Sequence, residues 1–276
     1  MIDTILCDVL KTNVKSENSV ALLLSGGVDS ISIAFSLHRL EIGIKIHAYS
    51  FRLDIQDNYD FNKAKEISEI MNWEFTGVVI NTSNLVQDFH KLVSLGAKKK
   101  TNFEAIYPFL HVFPKIKESY VATGWAADGY YGLSKKANIH FKHTKELFDK
   151  FRDNYFLPEN CASYSFLKKV SDMHNKKLIA PYLDSKVKDY FYTMDWDELN
   201  KPYQKHHVRK AFEKEFNMIG KVNKHLNLQL ESKVDKLFET LIDNKEINFK
   251  NRQRVMDICR DWYLLNNTNT LENFFE

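Results

Sequence analysis

The run Ser25-Gly26-Gly27-Val28-Asp29-Ser30 carries the most specific chemistry in this sequence. Paired glycines let a backbone turn sharply and approach a ligand with no Cβ in the way. An apolar run, Val20 to Leu24, precedes the turn and reads as a buried parallel strand. Val28, Ile31, Ile33, Ala34, Phe35 and Leu37 follow at roughly helical spacing. The turn therefore lies between a strand and a helix, whose free N–H groups and positive dipole end face it. A phosphate or pyrophosphate suits that place, and Leu24, Ser25, Gly26, Gly27 and Ser30 form the candidate cradle. Asp29 is the odd member. A carboxylate beside a phosphate repels it unless a cation lies between, and Mg²⁺ is the usual cation for that task. No Gly-x-x-x-x-Gly-Lys-Ser/Thr string is present, so this is not a Walker loop. The competing reading is a tight turn that merely starts a helix.

The elements that must position these residues follow from periodicity. Strand one is expected over 20–25 with its helix over about 29–40, strand two over 44–51, strand three over 75–80 and strand four over 120–124. Phe61, Ala64, Ile67, Ile70 and Met71 form a helical stripe between the second and third strands. Strands alternating with helices predict an α/β fold, a parallel sheet with helices on both faces. Ligands in such sheets lie beyond the carboxyl ends of the strands, where Ser25, Phe51 and Thr123 fall. From about residue 140 the pattern is mainly helical, with candidate helices at 143–153, 163–174, 185–194, 204–216, 230–243 and 252–265. No Pro/Gly/Ser-rich linker intervenes. The expected organisation is an α/β core over 1–140 and a helical part over 141–276 packed on it as one continuous domain.

Among 276 residues the net charge of +3 is too small to argue for nucleic acid by itself. No secretory leader is expected from Met1-Ile2-Asp3, which lacks a basic start and a long apolar run, and no apolar run is long enough for a membrane span. Cys7, Cys161 and Cys259 are far apart, without a Cys-x-x-Cys, so a zinc or iron–sulfur site built by this chain is not expected. A reducing, cytoplasmic location is expected.

Ser-Gly-Gly-Val-Asp-Ser resembles the pyrophosphate-loop signature of the N-type ATP pyrophosphatases, a group that includes asparagine synthetases, NAD and GMP synthetases, and tRNA thiolation and lysidine enzymes. Three later segments resemble the synthetase domain of asparagine synthetases in the family's order. They are Thr123-Gly124-Trp125-Ala126-Ala127-Asp128-Gly129-Tyr130-Tyr131-Gly132, Ile179-Ala180-Pro181-Tyr182-Leu183-Asp184 and Lys205-His206-His207-Val208-Arg209-Lys210-Ala211-Phe212. The resemblance covers roughly residues 18 to 240. It implies an adenine nucleotide alpha hydrolase-like fold, ATP and Mg²⁺ as cofactors, and cleavage of ATP to AMP and pyrophosphate with an adenylate passed to a substrate. It implies that Asp128 joins Asp29 on the metal, that Thr123 and Gly124 lie against adenosine, and that Phe51 lies where adenine is held. The competing readings are a helix-capping Asp128 and an ordinary core Phe51. A late family lysine that neutralises charge on the reacting phosphate falls on Lys221 or Lys224; the register is ambiguous, and one alignment puts Asn227 there.

The departures are as informative. The family's catalytic glutamate falls on Trp125, which cannot act as acid or base, and the next glutamate falls on Gly129. The resemblance begins without a glutaminase domain, and residue 2 is Ile, so no N-terminal cysteine nucleophile is expected. Ammonia or an amine would come from a separate donor. The ATP half-site is retained while the acceptor half is rewritten, which makes Trp125 and Glu104 candidate contacts for a small-molecule acceptor. The expected function is an ATP-dependent, amidotransferase-like ligase that forms a C–N bond. The alternatives are tRNA or nucleic-acid base modification by adenylation, and a non-catalytic ATP-binding protein. His206-His207 is expected at the surface. The lysines at 98–100, 135, 136, 142 and 145 read as solvated faces or as an RNA-binding face, and Cys161 as a small apolar filler.

Overall fold

The structure, a computed structural model, describes residues 1–14, 17–40, 43–55, 57–97, 100–157, 160–223 and 232–237. Helix α1 (Ile2–Val14) is followed by β1 (Ser19–Leu23), α2 (Val28–His38), β2 (Lys45–Leu53), α3 (Tyr59–Ile70) and β3 (Glu74–Ile80). Then come α4 (Leu85–Ser94), α5 (Lys100–Val112) and β4 (Tyr120–Thr123). Beyond β4 lie α6 (Asp128–Tyr131), α7 (Lys135–His140), α8 (Lys145–Tyr155), α9 (Ala162–Met173) and β5 (Lys177–Ile179). The described order ends with α10 (Ser185–Tyr192), α11 (Trp196–Asn200), α12 (His206–Ala211) and α13 (Glu213–Ile219).

The strands form a parallel sheet in the order β3-β2-β1-β4-β5. Side chains alternate across it, as strand geometry requires. Val20, Leu22 and Leu24 enter a core shared with α1, α2, α3 and the helices after β5, whereas Ala21 and Leu23 enter a second core with α4, α5 and α9. Both faces are thus covered, which explains why β1 reads as an unbroken apolar run. The chain leaves β1 toward β2 and β3, then crosses back to β4 on the other side of β1. The resulting switch point, between the carboxyl ends of β1 and β4, is where such sheets open a ligand crevice.

The four expected strands are present within a few residues of their expected limits. β5 is a fifth that periodicity missed. With Lys177, Leu178 and Ile179 alone it is too short to show alternation, and its pairing to β4 defines it. The helix expected over 204–216 is two helices, broken at Phe212, whose ring packs 6.0 Å from that of Phe35 and carries the Arg39 guanidinium over its face. The helices expected at 230–243 and 252–265 lie largely or wholly outside the described residues. No helix among the described residues is long and apolar enough to cross a membrane.

Candidate active site

The loop between β1 and α2 is held by its own serines. Ser30 Oγ accepts from the Ser25 backbone N–H at 3.0 Å and lies 3.0 Å from Ser25 Oγ, which in turn accepts from the Gly27 N–H at 3.1 Å. These bonds fix a tight loop over the start of α2, whose first turn points free N–H groups at the crevice. Gly26 and Gly124 are there for close approach. A Cβ on Gly26 would lie 2.8 Å from Asp60 Oδ1 and 3.0 Å from the Tyr59 ring. A Cβ on Gly124 would lie 2.5 Å from the Asp29 carbonyl carbon and 2.6 Å from the Ser30 nitrogen. The end of β4 is therefore pressed directly on the backbone of the phosphate loop's helix. Two residues later Ala126 takes φ of 75°, a left-handed conformation costly for a side chain with a Cβ and frequent at functional sites.

Two carboxylates converge on this point. Asp29 comes from the first turn of α2 and Asp128 from the start of α6, and both accept from Lys205 Nζ, at 2.6 Å and 2.8 Å. The Lys205 side chain is 2 % exposed. Its backbone is left-handed (φ 58°), and its N–H donates to Asn200 Oδ1 at 3.1 Å. Asn200 Nδ2 donates to the carbonyls of Tyr131 and Trp196, tying α6, α11 and α12 into one support. The ammonium also lies 5.3 Å from the Tyr131 ring centroid. Burial alone would lower the Lys205 pKa, but the carboxylates of Asp128 and Asp29 hold it above its ordinary value. Burial pushes Asp29 up to about 7, against the pull of Lys205 and with the help of Asp128. Asp29 Oδ1 is buried with no hydrogen-bond partner among the described residues.

The loop and the acid pair open into a cavity of about 1110 Å³. Phe51, Phe109 and Trp125 form an aromatic wall, with ring centroids 6.1 Å apart for Phe51–Phe109 and 5.9 Å for Phe109–Trp125, edge to face in both cases. Lys142, which stands 4.9 Å over the Trp196 ring, also lines the cavity, as do Tyr155, Asn160, Cys161 and Ser163.

Leu24, Ser25, Gly26, Gly27, Asp29, Ser30, Phe51, Thr123, Gly124, Trp125 and Asp128 all line this one cavity. Asp128 does not cap a helix; α6 has no side-chain cap. Glu104 is not brought to the cavity: it is buried on α5, whereas Ala105, Phe109 and Val112 of the same helix reach the wall. Lys221 is exposed and does not line the cavity, although its neighbours Val222 and Asn223 do. Lys224 and Asn227 lie outside the described residues. His206 and His207 are half-buried rather than on the surface; His207 is bonded to Tyr190 Oη at 3.0 Å. Cys161 lines the cavity, and burial pushes its thiol pKa up, away from a reactive thiolate. Lys205 is the buried, cavity-lining charge that spacing alone did not single out. Its signal was its place at the head of the Lys205–Phe212 segment.

The asparagine synthase family model matches residues 1–135. That model describes a domain of the PP-loop ATP pyrophosphatase superfamily, and the match supports an ATP-utilising enzyme of the adenylating kind. No curated protein matches the chain. Among solved structures, a U34-tRNA thiolase, NcsA from Methanococcus maripaludis with its 4Fe-4S cluster, is 15% identical, with 96% of this chain and 79% of that chain covered and a TM-score of 0.43. A predicted subunit of tRNA methyltransferase from Methanocaldococcus jannaschii DSM is 15% identical, with 71% and 87% covered and a TM-score of 0.33.

Proposed function

We propose, on the premise that residues 1–135 belong to the asparagine synthase family, that the chain is an ATP-dependent ligase that adenylates a small-molecule acceptor and completes an amide-type C–N bond. The observation that carries this reading is the convergence of the serine-glycine loop, Asp29, Asp128 and Lys205 at the sheet's switch point. The loop amides and α2 receive the phosphates, and the aromatic wall of Phe51 and Phe109 receives the base. An acceptor oxygen attacks the α-phosphorus. The bond to the β-phosphate oxygen breaks, and pyrophosphate leaves with the electron pair. A nitrogen nucleophile then displaces AMP.

Asp29 and Asp128 suit a divalent cation. Asp29 Oδ1 is buried without a partner among the described residues, and the two carboxylates already share one cation, Lys205. Mg²⁺ held there would neutralise charge on the leaving pyrophosphate. Lys205 supplies a second positive charge from a buried position, where electrostatic stabilisation needs little reorganisation. Trp125 stands where the family resemblance puts a glutamate, so the chain uses the wall at this point to shape the acceptor rather than to move its proton. The acceptor end carries Lys142 and aromatic rings, which favours an anionic or planar acceptor.

The test is AMP and pyrophosphate formation from Mg·ATP with a small-metabolite extract, with bulk tRNA, and with neither, beside Asp29→Ala. AMP that needs the metabolite extract and disappears in the mutant is expected. AMP that needs tRNA would move the reading to base modification. ATP binding without AMP in any arm would leave a nucleotide-binding protein.

A further inference from the structure

Arg209 occupies a position that the loop, the acid pair and Lys205 leave unexplained. It lies on α12, four residues after the left-handed Lys205 that precedes the helix; its N–H donates to the Lys205 carbonyl at 3.1 Å, and both residues line the cavity. Its Nη2 donates to the Asn223 carbonyl at 3.4 Å. The Asn223 N–H donates to Tyr59 Oη at 3.2 Å, and Tyr59 Oη donates to the Lys221 carbonyl at 3.3 Å. The Tyr59 ring lies against Gly26 of the phosphate loop. Arg209 therefore reaches the loop through a connected set of named contacts.

Its charge is unanswered. Of the four arginines among the described residues, Arg39 pairs with Asp3 and Glu215, Arg52 with Asp57, and Arg152 with Asp149. Arg209 has no carboxylate within ion-pair distance among the described residues, and its Nε is buried without a hydrogen-bond partner. Burial lowers its pKa, the mark of a cation taken from water with little in return. Lys205 cannot share the task in this state, because both of its carboxylate partners already engage it. A partly desolvated guanidinium without a counter-ion is unfavourable unless a ligand brings the anion, and its planar fork matches two phosphate oxygens.

We propose that Arg209 binds the β- and γ-phosphates of ATP and holds the pyrophosphate they become. This inference rests on the ATP-site reading above. A structural role is the competitor, since the guanidinium also stands 5.4 Å over the Phe216 ring.

Calorimetric titration of the full chain with Mg·ATP, Mg·pyrophosphate and AMP separates them, using wild type, Arg209→Gln and Arg209→Lys. A charge-assisted pair accounts for about tenfold to a hundredfold in affinity. Arg209→Gln is expected to weaken ATP and pyrophosphate by that factor and to leave AMP within about twofold. Arg209→Lys, which keeps the charge but not the fork, is expected to fall between; it also serves if the glutamine variant does not fold. Equal binding of pyrophosphate by wild type and both variants would overturn the inference, as would equal losses for AMP and pyrophosphate. A wild-type chain that binds no Mg·ATP would overturn the ATP-site reading itself and this inference with it, whereas ATP binding insensitive to Arg209 would overturn only the latter.

Discussion

The Lys205 ammonium lies 2.6 Å from an Asp29 carboxylate oxygen, across a sequence separation of 176 residues. With Asp128 at 2.8 Å it brings two carboxylates and an ammonium together at the wall of the cavity. Both members of the first pair are short of water, so each depends on the other.

Lys205→Met removes the resident cation while keeping the length of the stem. A fully buried pair broken on one side costs about 3–5 kcal/mol. The Asp128 side chain is 42% exposed, and Asp29 can take up a proton, so a loss of about 1–3 kcal/mol is expected. Thermal melting checks it. The same variant is expected to gain stability from millimolar Mg²⁺ without nucleotide, because the ion then meets two carboxylates that have lost the Lys205 ammonium; wild type is expected to gain less. No Mg²⁺ response in either protein would count against Asp29 and Asp128 as a metal pair.

The pH dependence has a definite sign. Asp29 is raised from 3.8 to about 7, so the folded state keeps a proton that the unfolded chain releases near pH 4. Its contribution to stability is present below the unfolded value and lost as pH rises through 7. Asp88, Glu118 and Glu215 have the opposite sign: burial opposes their ionised form, but their hydrogen bonds overcome it and hold each below its ordinary value. Their contribution is lost only in more acidic solution. Between about pH 5 and 7 the melting temperature of the nucleotide-free protein is therefore expected to fall relative to that of Asp29→Asn. Mg·ATP affinity is expected to rise over the same interval and level off above it, since the ion needs the carboxylate. A wild-type profile parallel to that of Asp29→Asn would exclude Asp29 as the titrating group.

Much of this site was legible in the sequence because its parts are local. Ser25 to Ser30 sit within one turn, and the strand before them and the helix after them have clear periods. Asp128 was reachable only through family resemblance, because nothing in Ala126-Ala127-Asp128 marks a ligand. Lys205 was harder: it immediately precedes a six-residue helix, and one lysine in a lysine-rich stretch is indistinguishable from a solvated one until the fold buries it. Glu104 misled for the converse reason. A helix fixes which residues share a face but not which face meets the cavity, and Ala105 and Phe109 took that side.

Gly124 offers a test of how the sheet holds the loop. Its Cβ would meet main-chain atoms of Asp29 and Ser30, none of which can rotate away. Gly124→Ala is expected to cost about 1–3 kcal/mol and to weaken ATP binding, because the first turn of α2 must shift. Gly27→Ala is the control. There the crowding atom is Ser25 Oγ at 3.2 Å, and the backbone is extended at φ −88°, so a smaller loss is expected. Comparable destabilisation by the two substitutions would mean that contact between β4 and α2 is not what fixes the loop.

Trp125 can report on ligands without any assumption about chemistry. It is half-buried at the cavity wall, edge to face with Phe109, and its backbone N–H is bonded to Thr123 Oγ1 at 3.3 Å. Of the three tryptophans among the described residues, Trp125 and Trp196 line the cavity, beside Phe109 and Lys142 respectively. ATP is expected to change the fluorescence of the Trp196→Phe protein but not that of Trp125→Phe. Acceptor is expected to perturb both tryptophans if it fills the space between them. Trp125→Ala is expected to lose about 1–2 kcal/mol of packing and to relax acceptor choice more than ATP affinity, since it widens the wall beyond Phe51. If Trp125→Ala lowered ATP affinity and left acceptor discrimination unchanged, the tryptophan would belong to the adenine side of the cavity instead.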